Sequence, residues 1–163
     1  MRKIDNTDAQ IINLLVDDGR MSCAEIARRL GDISERTVRY RIERLQAEGV
    51  IQVTAVVNTR VLGYTTVADV WLQVESDAIL EVAHKMAEHE CVSYVACAIG
   101  ERDVSVQVLG HSTDEIYRFV TEVIGKTPGV IKATTSIVPQ VLKDTHKWRV
   151  PTSTNIRTEV EKV

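Results

Sequence analysis

The apolar periodicity of the chain changes at Val50, and that break limits the possible folds more than any other feature of the sequence. Before it, apolar residues recur at helical spacing. Ile11, Ile12, Leu14 and Leu15 make one stripe after Asp8, Ile26, Ala27 and Leu30 a second after Ser22, and Val38, Ile42 and Leu45 a third after Ser34. Asp and Ser oxygens accept from the free N–H groups that open a helix, so Asp8, Ser22 and Ser34 read as N-caps. Gly19, Gly31 and Gly49 stand where the three runs end. Three short helices, the last two joined only by residues around Gly31-Asp32-Ile33, predict a helix-turn-helix domain over residues 1–50.

After Val50 the pattern is that of strands. Val50 to Val57 reads as a strand within a connecting segment, residues 51–63. Val67 to Val74 alternates, with Ala68, Val70, Leu72 and Val74 on one face and Asp69 and Gln73 on the other. Ala78 to His89 returns to helical spacing through Ile79, Val82, Ala83 and Met86. Val92–Ile99 and Val104–Leu109 form a hairpin about Gly100–Asp103, Thr113–Gly125 is a helix, and Val130–Val141 is a last strand. This order predicts a ferredoxin-like βαββαβ domain over residues 64–142 and an α+β protein overall. Two helices would cover one sheet face and leave the other for a partner. The tail, residues 143–163, is polar, carries Pro151, and reads as a frayed terminus, with an arm that orders on assembly as the alternative.

The charge balance looks unsuited to nucleic acid until it is divided by region. The net charge is −3, but residues 1–57 hold nine basic and nine acidic residues, so the whole deficit lies beyond them. Between Arg28 and Arg44 there are six arginines (28, 29, 36, 39, 41, 44) against Asp32, Glu35 and Glu43. The predicted third helix is thus a cationic rod of the width that enters a DNA major groove. Arg36 and Arg39 have the reach and fork geometry for guanine edges or phosphates. Glu35 and Tyr40 share the exposed surface with them, while Ser22, Ser34 and Thr37 sit at helix starts, where hydroxyls and N–H groups hold phosphate. Arg41 and Arg44 lie on the flank, to grip the DNA backbone or pair within the protein. Aromatic residues make up only 4%, which excludes a stacking platform for single strands.

Other classes find little support. No Walker loop, dinucleotide fingerprint, Gly-x-Ser-x-Gly or His-Glu-x-x-His occurs, which predicts no enzyme and no cofactor. The four histidines are scattered, and Cys23, Cys91 and Cys97 lack a Cys-x-x-Cys spacing, which predicts neither a metal site nor a disulfide framework. With no long apolar run and no apolar leader after Met1, the chain reads as a cytoplasmic protein without a membrane partner. Trp71 and Trp148 read as packing or interface residues.

Ile4-Asp5-x-x-Asp8-x-x-Ile11, Asp18-Gly19-Arg20-x-Ser22, Glu25-Ile26-Ala27, Ser34-x-x-Thr37-Val38-x-x-Arg41-Ile42-x-x-Leu45 and Glu48-Gly49-Val50-Ile51 together resemble the Lrp/AsnC (feast/famine) transcription regulators. The resemblance spans roughly residues 3–142. It implies a DNA-binding N-terminal domain and a C-terminal, RAM-type domain that senses a small effector, an amino acid, and forms dimers and octamers. It also implies a pseudo-palindromic double-stranded DNA site. One departure is the turn before the third helix, where Gly31-Asp32-Ile33-Ser34 replaces Gly-Leu-Ser and is one residue longer. The family's Gly-x-x-Asp hairpin is present as Gly100-Glu101-Arg102-Asp103, which the resemblance places at the effector pocket. Asp103 would accept from an α-ammonium group and Arg102 would meet an acidic group or solvent; alternatively the hairpin only packs a subunit interface, with Asp103 capping its own turn. The family's Thr-x-Thr on the last strand, facing that pocket, is here Ala133-x-Thr135. Sirohaem decarboxylases share this resemblance, but their His-Asn-Tyr-x-x-Arg segment is absent.

Overall fold

A computed structural model of the chain describes residues 4–152. It divides into two compact units, one holding the residues up to Val56 together with those from Leu142 onward, the other Val57–Val141.

In the first unit, α1 (Asn6–Asp17), α2 (Cys23–Leu30) and α3 (Glu35–Ala47) surround Ile11, Ile26 and Val38, all fully buried. Ser22 and Ser34 cap α2 and α3, each accepting from the backbone N–H three residues on, at 3.1 Å. The first helix begins one turn earlier than expected. Its cap is Asp5, and Asp8 instead closes a reciprocal capping box from the third helical position. Between α2 and α3, Gly31 takes a φ of +82°, which ends α2 in a conformation that strains any residue with a Cβ. The extra residue of this turn is accommodated by leaving Asp32 exposed while Ile33 packs against the helical core.

The expected strand at Val50–Val57 is absent; residues 51–58 carry neither helix nor ladder. A strand is stable only against a neighbour, and among the described residues no segment pairs with it. Val53, Val56 and Val57 are left exposed.

The second unit is the expected βαββαβ arrangement. It runs β1 (Thr66–Val74), α4 (Ile79–Ala87), β2 (Val92–Cys97), β3 (Val104–Gly110), α5 (Thr113–Arg118) and β4 (Val130–Val138). The strand order is β2-β3-β1-β4, and every neighbouring pair is antiparallel. Ala68, Val70, Leu72 and Val74 of β1 and Val104, Val106 and Val108 of β3 are buried beneath Val82 and Met86 of α4 and Ile116 of α5. The predicted helix over Thr113–Gly125 leaves α geometry after Arg118, passing through a π-turn at Phe119–Val123 and a 3-10 turn at Ile124–Lys126. Ile116 and Ile124 are both buried yet stand eight residues apart, more than two α-turns; the wider turn keeps both on the inner face.

The C-terminal tail is not frayed throughout. Residues up to Thr152 are described, and those from Leu142 group with the helical unit. Residues 153–163 lie outside the described part of the chain.

Candidate nucleic-acid interface and effector site

The arginines of the helical unit fall into three settings. Arg28 and Arg29 both bond to Glu25 on their own helix, at 2.7 Å, and these contacts hold the Glu25 carboxyl down at about 2. At the front of α3, Arg39 makes an exposed pair with Glu35 at 2.9 Å, and Arg36 makes no ion pair among the described residues. Tyr40 is also exposed, and the Ser34 hydroxyl meets that of Thr37 at 2.8 Å, at the open end of the helix.

Arg41 and Arg44 are in the third setting, where they pair within the protein, one of the two roles expected of them. Arg41 bonds to Asp5 and Asp8 at 2.7 Å each, and Arg44 bonds to the other oxygen of Asp8 at 2.6 Å. The Asp8 side chain has no exposed surface, and those of Arg41 and Arg44 keep 22% and 14% of theirs. The Arg41 bond holds the Asp5 carboxyl below its ordinary value and raises that of the guanidinium. These two arginines brace α3 against the first turn of α1.

In the sheet unit, Gly100 (φ +143°) turns the hairpin in a way that favours glycine, and Asp103 closes it. The Asp103 carboxylate accepts from the Val74 N–H at 2.8 Å, its own N–H donates to the Leu72 carbonyl, and its carbonyl accepts from Ala98. Asp103 therefore ties the hairpin to the end of β1. Glu101 and Arg102, both exposed, are the residues of this turn that line an open concavity of about 370 Å³, shared with Trp71, Gln73, Lys132 and Thr134. Arg102 does not simply meet solvent: its guanidinium lies 4.5 Å from the centre of the Trp71 ring.

Thr135 does not belong to this concavity. It pairs with the buried Val70, so alternation puts it and Ala133 on the helix-covered side, whereas Thr134 pairs with Trp71 and Lys132 with Gln73 on the open side. Trp71, Gln73, Lys132 and Thr134 were the residues that sequence reading missed. The signal for Trp71 and Gln73 was the alternation already noted on β1; for β4 it required the register.

Comparison with known proteins bears on both units. Residues 4–52 match a family described as winged helix-turn-helix DNA-binding, and residues 67–148 match the Lrp/AsnC ligand binding domain. An HTH-type transcriptional regulator of Pyrococcus furiosus is 37% identical over 141 residues, covering 86% of this chain and 95% of its own. The HTH-type transcriptional regulator LrpA of Pyrococcus horikoshii is 31% identical, covering 86% of this chain and 99% of its own. Among solved structures, that of AsnC from E. coli superposes with a TM-score of 0.80 at 22% identity, over 93% of this chain and all of that one. A transcriptional regulator of Neisseria meningitidis in complex with L-Met gives 0.82 at 22% identity, over 90% of this chain and 96% of that one. With a DNA-binding helical unit and a ligand-binding sheet unit matched in order along its length, the chain belongs to the Lrp/AsnC family of transcriptional regulators.

Proposed function

We propose that the protein reads double-stranded DNA with the front of α3 and that an amino acid bound at the open concavity modulates this binding. The observation that carries the DNA reading is the exposed front of α3, with Arg36 unpaired among the described residues and Arg39 held only by a surface carboxylate. Exposed pairs of this kind are worth less than about 1 kcal/mol, so phosphate competes successfully for the guanidinium. Arg36, Arg39 and Tyr40 reach base edges, Glu35 accepts from cytosine or yields Arg39, and Ser22, Ser34 and Thr37 present hydroxyls and helix N–H groups to the backbone.

The protein acts as a homodimer, in which two copies of α3 meet a pseudo-palindromic site. The uncovered sheet face and the ladder-less segment at residues 51–57 are the surfaces that await a second copy. Higher assembly to an octamer follows the family.

At the concavity, Lys132 and Arg102 suit an α-carboxylate and Glu101 an α-ammonium, with Thr134 and Gln73 as hydrogen-bonding partners. Gly100 and Asp103 shape the turn, and the fold is one on which the Neisseria meningitidis regulator holds L-Met. The ligand acts by favouring one assembly over another.

Two experiments test these readings. Arg39→Ala weakens binding in a mobility shift and lowers its salt dependence; unchanged affinity and slope remove α3 from the contact surface. A thermal shift against the twenty amino acids identifies the effector, and Lys132→Ala abolishes the shift. If no amino acid raises the melting temperature, the effector reading fails while the DNA reading stands.

A further inference from the structure

The charges that line the concavity of the sheet unit do not cancel. Its ionised lining residues are Lys132, Arg102 and Glu101, two cations against one acid. None of the three makes an ion pair among the described residues. Asp103, the next acid along the turn, accepts from the Val74 N–H and is not part of the lining. A neutral amino acid brings one α-carboxylate and one α-ammonium group, which one cation and Glu101 satisfy. The other cation is then left without a counter-charge.

Of the two cations, Arg102 is the better suited to a further carboxylate. Its guanidinium lies 4.5 Å from the centre of the Trp71 ring. That attraction acts on the positive charge and needs none of the N–H donors, and these meet no acceptor among the described residues. The indole thus holds the guanidinium in place while its fork stays open. A carboxylate received there makes two parallel bonds, whereas Lys132 offers a point charge on a flexible stem.

The same surface has no place for an aliphatic side chain. Trp71 is flanked by Ser105 of β3 and Thr134 of β4, and Gln73 by Lys132. Trp71 is the one apolar residue among those lining the concavity, and Arg102 lies over its ring. The apolar residues of this sheet face, Val67 with its partners Leu109 and Val138, stand at the other end of the strands. From Val67 to Trp71 along β1 is roughly 14 Å, beyond the reach of one amino acid.

We infer that the concavity takes an acidic amino acid, L-glutamate or L-aspartate, with its side-chain carboxylate on Arg102, its α-carboxylate on Lys132 and its α-ammonium group on Glu101. This identity rests on the proposed amino-acid site. It also accounts for what the site rejects. A basic amino acid sets a further cation beside Lys132 and Arg102, and an apolar one leaves Arg102 unpaired while its side chain stays in water.

The test is calorimetric titration of the full chain with L-glutamate, L-aspartate, L-glutamine, L-methionine and L-lysine, at low and high salt. One of the two acids binds at least ~10-fold more tightly than L-glutamine, which cannot neutralise Arg102, and the margin narrows as salt rises. Arg102→Gln weakens binding of the preferred acid at least ~10-fold and removes its advantage over L-glutamine. Should that variant fail to fold, Arg102→Lys, which keeps the charge and loses the fork, gives an intermediate loss. Tighter binding of L-glutamine, L-methionine or L-lysine than of either acid overturns the inference and leaves the amino-acid reading standing. A preference for the acid that persists undiminished in folded Arg102→Gln and Arg102→Lys also overturns it. If none of the twenty amino acids binds, both fail.

Discussion

Along α3, Arg36 and Arg39 stand at the front and Arg41 and Arg44 behind them, and what separates the two pairs is the burial of the acid each one meets. Glu35 is an exposed partner, so Arg39 loses little by leaving it. Asp8 is enclosed, with each of its oxygens bonded to a guanidinium, and neither Arg41 nor Arg44 can leave without stranding a charge away from water. Side chains of one type, within nine positions of one helix, are thus divided between an outward surface and an internal brace. Counting arginines finds a cationic helix; only the location of the carboxylates says which cations are available.

The hardest test of that division is Asp8→Ala, which leaves two partly buried guanidinium groups unpaired. It lowers the unfolding free energy by about 3 kcal/mol, read from the urea midpoint. A midpoint equal to that of the unmodified protein would mean that the brace is no stronger than a surface pair. Next in size, Arg36→Ala and Arg39→Ala each weaken DNA binding by about 1–3 kcal/mol in a titration at fixed salt, with melting unchanged. Arg44→Ala shows the reverse pattern, lowering the melting temperature. If Arg44→Ala reduces affinity while its melting curve is unaltered, the two settings are not distinct.

Smaller effects sharpen the boundary. Ser34→Ala removes the cap of α3 and costs about 1 kcal/mol of stability, measured by urea unfolding. For Asp5, the Arg41 bond depresses the folded carboxyl value below the ordinary 3.8. Its contribution is therefore complete above that value and is lost as pH falls through the lower folded one. Because Asp5 is about half exposed, the loss is less than about 1 kcal/mol, and Asp5→Asn, which retains a capping oxygen, removes this part of the acid dependence. The least change is expected of Glu35→Gln. It frees Arg39 at a cost of about 0.3–0.5 kcal/mol in stability and tightens DNA binding slightly in the same titration.

The helices, the sequence of elements along the chain and the covered sheet face were legible because apolar spacing encodes them directly: Ile11, Ile26 and Val38 meet as the stripes require, and so do the alternating residues of β1. Three features escape that spacing for a different reason. The strand at Val50–Val57 has the right composition and no neighbour among the described residues, and pairing is not a property of a segment. Thr135 is placed by resemblance, and one position of register puts it on the opposite side of β4 from Thr134, which lines the concavity. The tail was read by its polarity, while its anchors are single atoms of Asn13 and Asp17, chosen by distance and invisible to periodicity. Asp103 illustrates the same limit: its type suits an ammonium ligand or a turn cap, and only its location shows that it accepts from the Val74 N–H.

The two tryptophans of this chain fall one to each unit, Trp71 beneath Arg102 on β1 and the half-exposed Trp148 after the 3-10 turn at Thr145–Lys147. Each unit consequently carries its own optical reporter. In Trp148→Phe the remaining indole emits from under a cation, and anything that draws Arg102 away changes its colour and yield. In Trp71→Phe the signal follows the wetting of Trp148 alone. A pair of conservative substitutions thus follows the surroundings of each unit separately, by stopped-flow emission, with no label added to the protein.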